Sequence, residues 1–97
     1  MRLIYHPAAE AELIQALHFY GSLDLELGHQ FLAAIDQAIE VIRAAPDRWR
    51  IVEADVRRYL MPRFPFGIYY RILPDHLRVL AFKHHSRRPA YWHHRIS

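Results

Sequence analysis

Along this chain the interval between apolar residues changes from three or four to two, and that change restricts the fold more than any single motif. Leu27, Phe31, Ile35, Ile39 and Ile42 recur at intervals of four and three, with Glu26, Asp36, Glu40 and Arg43 mostly between them. That is the pattern of a helix with one face to bury. Leu13, Leu17 and Tyr20 share a stripe of the same period. Further on, Val56, Arg58 and Leu60 alternate with Arg57, Tyr59 and Met61, and Phe66, Ile68, Tyr70 and Ile72 with Gly67, Tyr69 and Arg71. Only extended strands place every second residue on one face. Helices followed by a run of neighbouring strands predict an α+β fold.

Local punctuation sets the boundaries. Arg2 to His6 alternates and reads as a first strand, and Pro7 suits the opening turn of a helix, where its missing N–H costs nothing. Glu10 and Glu12 lie near the positive helix terminus. Gly21 and Ser22 mark a break, and Asp24 is the expected cap of a second helix. A connection this short makes residues 7 to 45 an antiparallel helical hairpin. Pro46 and Asp47 end it, and Trp49 and Ile51 are expected to tuck the following loop onto the core. Strands over Val56–Met61, Phe66–Ile72 and Leu77–Lys83 are separated by Pro62 and Pro65 and by a turn at Pro74-Asp75, which predicts an antiparallel meander. The order is therefore β-α-α-β-β-β, with the hairpin packed on one face of a small, mainly antiparallel sheet. The first strand joins that sheet at its edge or centre, and the other sheet face is left for solvent or a partner. Gly67 permits a bulge, a close approach or simply tight local packing.

Several chemistries are excluded early. The chain has no Cys, so disulfides, cysteine-held iron-sulfur centres and thiol nucleophiles are ruled out. Its three glycines, Gly21, Gly28 and Gly67, make no phosphate loop. Glu53, Asp55 and Asp75 fall in expected loops and turns rather than as paired catalytic carboxylates, and Ser86 has histidines beside it but no nucleophile elbow. A chain of 97 residues supports one core, so a single domain over residues 1–97 is expected. Nothing resembles a signal sequence or a membrane span, which leads us to expect a cytoplasmic protein with no membrane partner.

Charge is unevenly spread. Beyond residue 52 lie nine of the thirteen Lys and Arg but only three of the ten Asp and Glu. Such a field attracts nucleic acid or an acidic partner segment. It is densest in the tail over residues 84–97, which follows Lys83 and reads His84-His85-Ser86-Arg87-Arg88-Pro89-Ala90-Tyr91-Trp92-His93-His94-Arg95-Ile96-Ser97. Cations there can engage phosphates or carboxylates, and the rings can stack on bases or seal a protein contact. The histidines come in adjacent pairs, and neighbours on a strand point to opposite faces. Each pair thus offers one ligand, and no metal or other cofactor is expected. Phosphodiester cleavage without a metal is open to basic groups with a proton-moving Tyr or His, and Arg57, Arg58, Arg71, Lys83, His84, Arg87, Arg88 and Tyr91 supply candidates.

In the order of its motifs the chain resembles the RelE/ParE toxin superfamily of bacterial type II toxin-antitoxin systems, and within it the ParE-like branch. The resemblance runs from Pro7-Ala8-Ala9-Glu10-Ala11-Glu12-Leu13 through Asp55-Val56-Arg57-Arg58, Phe64-Pro65-Phe66-Gly67-Ile68-Tyr69-Tyr70-Arg71 and Val79-Leu80-Ala81-Phe82-Lys83-His84 to Arg87-Arg88-Pro89-Ala90-Tyr91-Trp92. It implies a growth-arresting toxin, a cognate protein antitoxin that wraps a segment around it in a hetero-oligomer, and one of two targets. ParE-like members poison DNA gyrase, whereas RelE-like members cut messenger RNA on the ribosome. Where the RNA-cutting branch has a strand arginine this chain has Gly67, and where it has a second arginine after the last strand this chain has His85. That favours gyrase. The expected target-binding residues are Arg57, Arg58, Lys83, His84, Arg87, Arg88, Tyr91 and Trp92. No catalytic residue is assigned; for a metal-independent endoribonuclease the candidates are Arg71, Lys83, Arg87 and Tyr91. A domain that binds antitoxin without being toxic is the third reading.

Overall fold

The stretches of helical period are helices and the alternating stretches are strands. The computed structural model describes residues 1–96, so Ser97 at the end of the tail lies outside the described residues. Strand β1 (Arg2–Tyr5) leads into helices α1 (Pro7–Leu23) and α2 (Leu25–Ala44), and a 3-10 turn (Pro46–Arg48) follows. Four strands come next: β2 (Arg50–Glu53), β3 (Val56–Leu60), β4 (Phe66–Ile72) and β5 (His76–His84), then a second 3-10 turn (His93–Arg95). The sheet order is β1-β5-β4-β3-β2. β1 runs parallel to β5 at an edge, and the other pairs are antiparallel. The α+β fold with its helical hairpin and meander is as expected.

The helices start where side chains satisfy their free N–H groups. His6 Nδ1 accepts from Ala8 N at 3.0 Å ahead of Pro7, and the Asp24 carboxylate accepts from Glu26 N and Leu27 N at 2.7 and 3.3 Å. The expected break at Gly21-Ser22 does not occur: α1 runs on to Leu23, and Asp24 alone makes the turn. The close approach of the two helices depends instead on Gly28. A Cβ on Gly28 would lie 2.8 Å from Gly21 Cα, so the two helices touch backbone to backbone where a one-residue connection forces them together.

Between helices and sheet, Phe31 is fully buried. Its ring lies 4.7 to 5.9 Å from those of Tyr20, Phe64, Phe66 and Phe82. Burying one such ring contributes about 2–3 kcal/mol, and each well-placed aromatic pair adds roughly 1 kcal/mol. Trp49 packs on Tyr59, ring centroids 4.7 Å apart. Ile51, expected beside it, is 50% exposed and belongs to the additional edge strand β2.

The second sheet face is not left open. Trp92, 2% exposed, packs with Val56, Tyr69, Leu80 and Ala81 in a smaller second core, flanked by Val52, Tyr91 and Ile96. A bulge in β5 makes this possible. Tyr70 faces Val79 and Tyr69 faces Ala81, which leaves Leu80 without a register partner. Leu80 and Ala81 both belong to the Trp92 core, while Val79 and Phe82 belong to the core under the helices.

Candidate functional site

Strand β1 pairs with β5 only as far as Tyr5 opposite Val79. Beyond that point β5 has an open edge whose buried N–H and C=O groups need partners. Two side chains supply them. Glu12 Oε1 accepts from Phe82 N at 3.1 Å, and Arg95 Nη1 donates to Leu80 O at 3.0 Å. Glu12 and Arg95 also pair with each other, Nη1 to Oε1 at 2.9 Å and Nη2 to Oε2 at 3.3 Å, with both side chains almost out of solvent. The Tyr91 hydroxyl donates to Glu12 Oε2. One carboxylate thus holds the strand edge and the tail together. Neither Glu12 nor Arg95 stood out from the sequence as a site residue. The available signal was that Glu12 lies three residues after Ala9 and four before Ala16, the two buried positions of α1.

Tyr91 sits under cations. Arg87 lies 4.1 Å from its ring centroid and Arg95 5.0 Å. Burial, reinforced by the hydrogen bond to Glu12, pushes the phenol well above its ordinary range. At neutral pH it is a protonated donor, and its proton points at a carboxylate that already has other partners.

Across the sheet, Gly67 stands in register with Leu60 on β3 and Lys83 on β5. Its backbone is not in the left-handed region, so the need for glycine is one of space. A Cβ there would meet the Tyr69 ring at 3.1 Å, a Leu60 methyl at 3.3 Å and Arg58 Cγ at 3.6 Å. Lys83 is 7% exposed, and among the described residues its ammonium makes one hydrogen bond, to His84 O at 3.3 Å. Burial, followed by the charges of Arg58 and Arg87, lowers its pKa. Arg58 Nε is buried with no hydrogen-bond partner among the described residues.

The remaining expected residues are dispersed. Arg57 points the other way and donates from Nη1 to Asp47 O and Trp49 O, each at 2.8 Å, pinning the loop after α2. Arg71 grips Asp55 with Nε at 2.9 and 3.2 Å and Nη2 at 3.0 Å, and reaches Ile96 O at 2.9 Å. The Arg71 hydrogen bond holds the Asp55 carboxyl below its usual range. Four strand positions separate Arg71 from Gly67, roughly 13 Å along β4. Arg71 therefore stands apart from Lys83. His84 lies on the helix side, its ring 5.1 Å from Phe66, and Nδ1 accepts from Ser86 N at 3.0 Å. Arg88 is exposed and Trp92 is core. Of the eight residues expected at the target surface, Arg58 and Lys83 flank Gly67 and Arg87 packs on Tyr91, Arg88 follows Arg87 in sequence, and Arg57, His84 and Trp92 stand elsewhere.

Beside the Glu12 junction, between α1 and the open edge of β5, runs a groove lined by Ala16, Phe19, Tyr20, Phe66 and Phe82 with Arg87 at its rim. Phe19 is 59% exposed there, and Leu23, one turn further along α1, is exposed as well.

Residues 3–89 match the model of a family described as the ParE toxin of type II toxin-antitoxin system, parDE. No curated protein matches the chain. Among solved structures, a chain from the chromosomal ParDE TA system of P. aeruginosa is similar with a TM-score of 0.66 at 22% identity, over 87% of this chain and 95% of that one. At that identity the likeness is one of fold.

Proposed function

The chain belongs to the ParE toxin family of type II toxin-antitoxin systems, and from that premise we propose that it arrests growth by inhibiting DNA gyrase and that a cognate protein antitoxin neutralises it. The observation that carries gyrase over RNA cleavage is the bond from the Tyr91 hydroxyl to Glu12. A metal-free nuclease needs a group that moves a proton, and cations placed around the scissile phosphate. Here the tyrosine is held protonated by burial and by Glu12, and Arg71 is committed to Asp55. Gly67 stands where the RNA-cutting pattern has an arginine, under the Tyr69 ring and Leu60.

Under this reading Arg58, Lys83, Arg87 and Arg88 form the target-facing surface. The antitoxin takes the groove along α1, where an extended segment can seat apolar residues against Phe19 and Tyr20 and run beside the open edge of β5. Among the described residues no helix is long and apolar enough to cross a membrane, and a gyrase target would place the protein in the cytoplasm.

The deciding experiment compares labelled thymidine with labelled methionine incorporation in the first minutes after the chain is induced without antitoxin. Early loss of thymidine incorporation with protein synthesis intact is the expected result. Early loss of methionine incorporation would overturn the gyrase reading in favour of a ribosomal target. Harmless induction would mean a domain that binds antitoxin without being toxic.

A further inference from the structure

On the second sheet face Arg58 and Lys83 flank Gly67, and Arg87, in the turn after β5, stands at the adjoining strand edge with its guanidinium over the Tyr91 ring. Among the described residues none of the three pairs with a carboxylate. The acids that reach this face are engaged elsewhere: Asp55 by Arg71, Glu53 by His93 and Glu12 by Arg95 and Tyr91. A nearly buried ammonium whose pKa is lowered by burial and then by the charges of Arg58 and Arg87 is in an unfavourable state that an anion would relieve. The backbone prepares it. Because Gly67 has no side chain, the stem of Arg58 can lie over it, with Cγ 3.6 Å from where a Cβ would stand, and Lys83 is the register partner of Gly67 on the other side. Among the described residues the buried Nε–H of Arg58 has no acceptor, and the Lys83 head has only its neighbour's carbonyl.

We infer that Arg58, Lys83 and Arg87 form a binding site for one phosphate group, brought either by a nucleic-acid backbone or by free phosphate. Three donors from two strands and the turn after β5 suit a tetrahedral anion with several oxygens better than the two coplanar oxygens of a carboxylate. A terminal phosphate also carries close to two charges at neutral pH, which matches a site with more cations than one carboxylate can neutralise. The site lies on the proposed target surface but does not depend on gyrase being the target, since binding is read on the purified chain alone.

The test follows the Lys83 Nζ and Arg58 Nε signals by nuclear magnetic resonance while inorganic phosphate replaces chloride at constant ionic strength. Both signals shift to saturation in the wild type. Arg58→Gln weakens the affinity about tenfold or more, the loss of one charge-assisted hydrogen bond, whereas Arg48→Gln, an exposed cation on the loop after α2, leaves it unchanged. If Arg58→Gln fails to fold, Arg87→Gln takes its place, because Arg87 is exposed and outside both cores. An oligonucleotide without terminal phosphates separates the sources: displacement of phosphate by it assigns the site to a nucleic-acid backbone, and no displacement assigns it to free phosphate species. Absence of saturable shifts with both probes overturns the inference. Equal weakening by Arg48→Gln does so too, as does saturation by a glutamate-rich peptide without any response to phosphate, which would make the three cations a docking point for an acidic protein segment.

Discussion

The Tyr91 hydroxyl donates to the Glu12 carboxylate across 79 positions of sequence, joining the tail to the first helix. The same carboxylate receives Arg95 and the free N–H of Phe82, so a single acid on α1 fastens the open edge of β5 and the segment that covers the second sheet face.

Removing that acid should be expensive. With Glu12→Ala, Arg95 is left nearly buried without its counter-charge and Phe82 N without an acceptor, a loss of about 3–5 kcal/mol. Glu12→Leu combined with Arg95→Met should recover only the part due to the unpaired charge, because an apolar pair avoids that desolvation cost but leaves Phe82 N and Leu80 O without their partners. Urea unfolding of the two single variants and the double variant measures the coupling. Additive losses would show that the two side chains act independently.

The hairpin glycines should respond in opposite directions. A Cβ at Gly21 meets nothing within 4 Å, so Gly21→Ala should stabilise by up to about 1 kcal/mol through helix propensity. At Gly28 the same change drives a Cβ to 2.8 Å from the backbone of Gly21, and forcing the helices apart should cost about 1–3 kcal/mol, outweighing that gain. Thermal midpoints that move the same way in both variants would contradict the backbone contact.

His6 makes the start of α1 sensitive to acid. Its Nδ1 accepts from Ala8 N and must be unprotonated to do so. Burial, then the charges of Arg78, Arg95 and His94, lowers its pKa below the ordinary 6.5. The unfolded chain therefore binds the proton more readily. The contribution is complete above about pH 6.5 and is lost as pH falls through the lower folded value. The wild type should therefore lose stability between about pH 7 and pH 5, and His6→Asn, which keeps a cap but does not titrate, should flatten that decline. Identical profiles would rule out this role.

Much of this fold is legible because burial imposes a period. Phe31, Ile35 and Ile42 on α2 and Ile68 and Tyr70 on β4 sit where their spacing puts them. Three features escape such reading. Strand β2 has four residues with an exposed Ile51, so no alternation reveals it. The bulge at Leu80 shifts the faces of β5 midway, and nothing local announces it. Trp92 and Arg95 in a basic tail look like surface because composition does not register that the sheet has a second face to cover. The candidate site shares that blindness: Lys83 and His84 are neighbours in sequence and stand on opposite faces of the sheet.

Tyr91→Phe separates the two target readings with one oxygen atom. The ring that Arg87 and Arg95 approach is kept, and Glu12 retains Arg95 and Phe82 N as partners. The loss should therefore be about 1 kcal/mol of stability. If the toxin acts by binding, growth arrest on induction should be nearly unchanged at matched protein levels. A nuclease that used this hydroxyl to move a proton would lose about 100-fold or more in rate, and its growth arrest would fall accordingly. Dose-response curves for growth arrest by the wild type and Tyr91→Phe, each paired with a urea unfolding curve, check the prediction. A large loss of toxicity in a stably folded variant would return Tyr91 to the list of catalytic groups and gyrase to an open question.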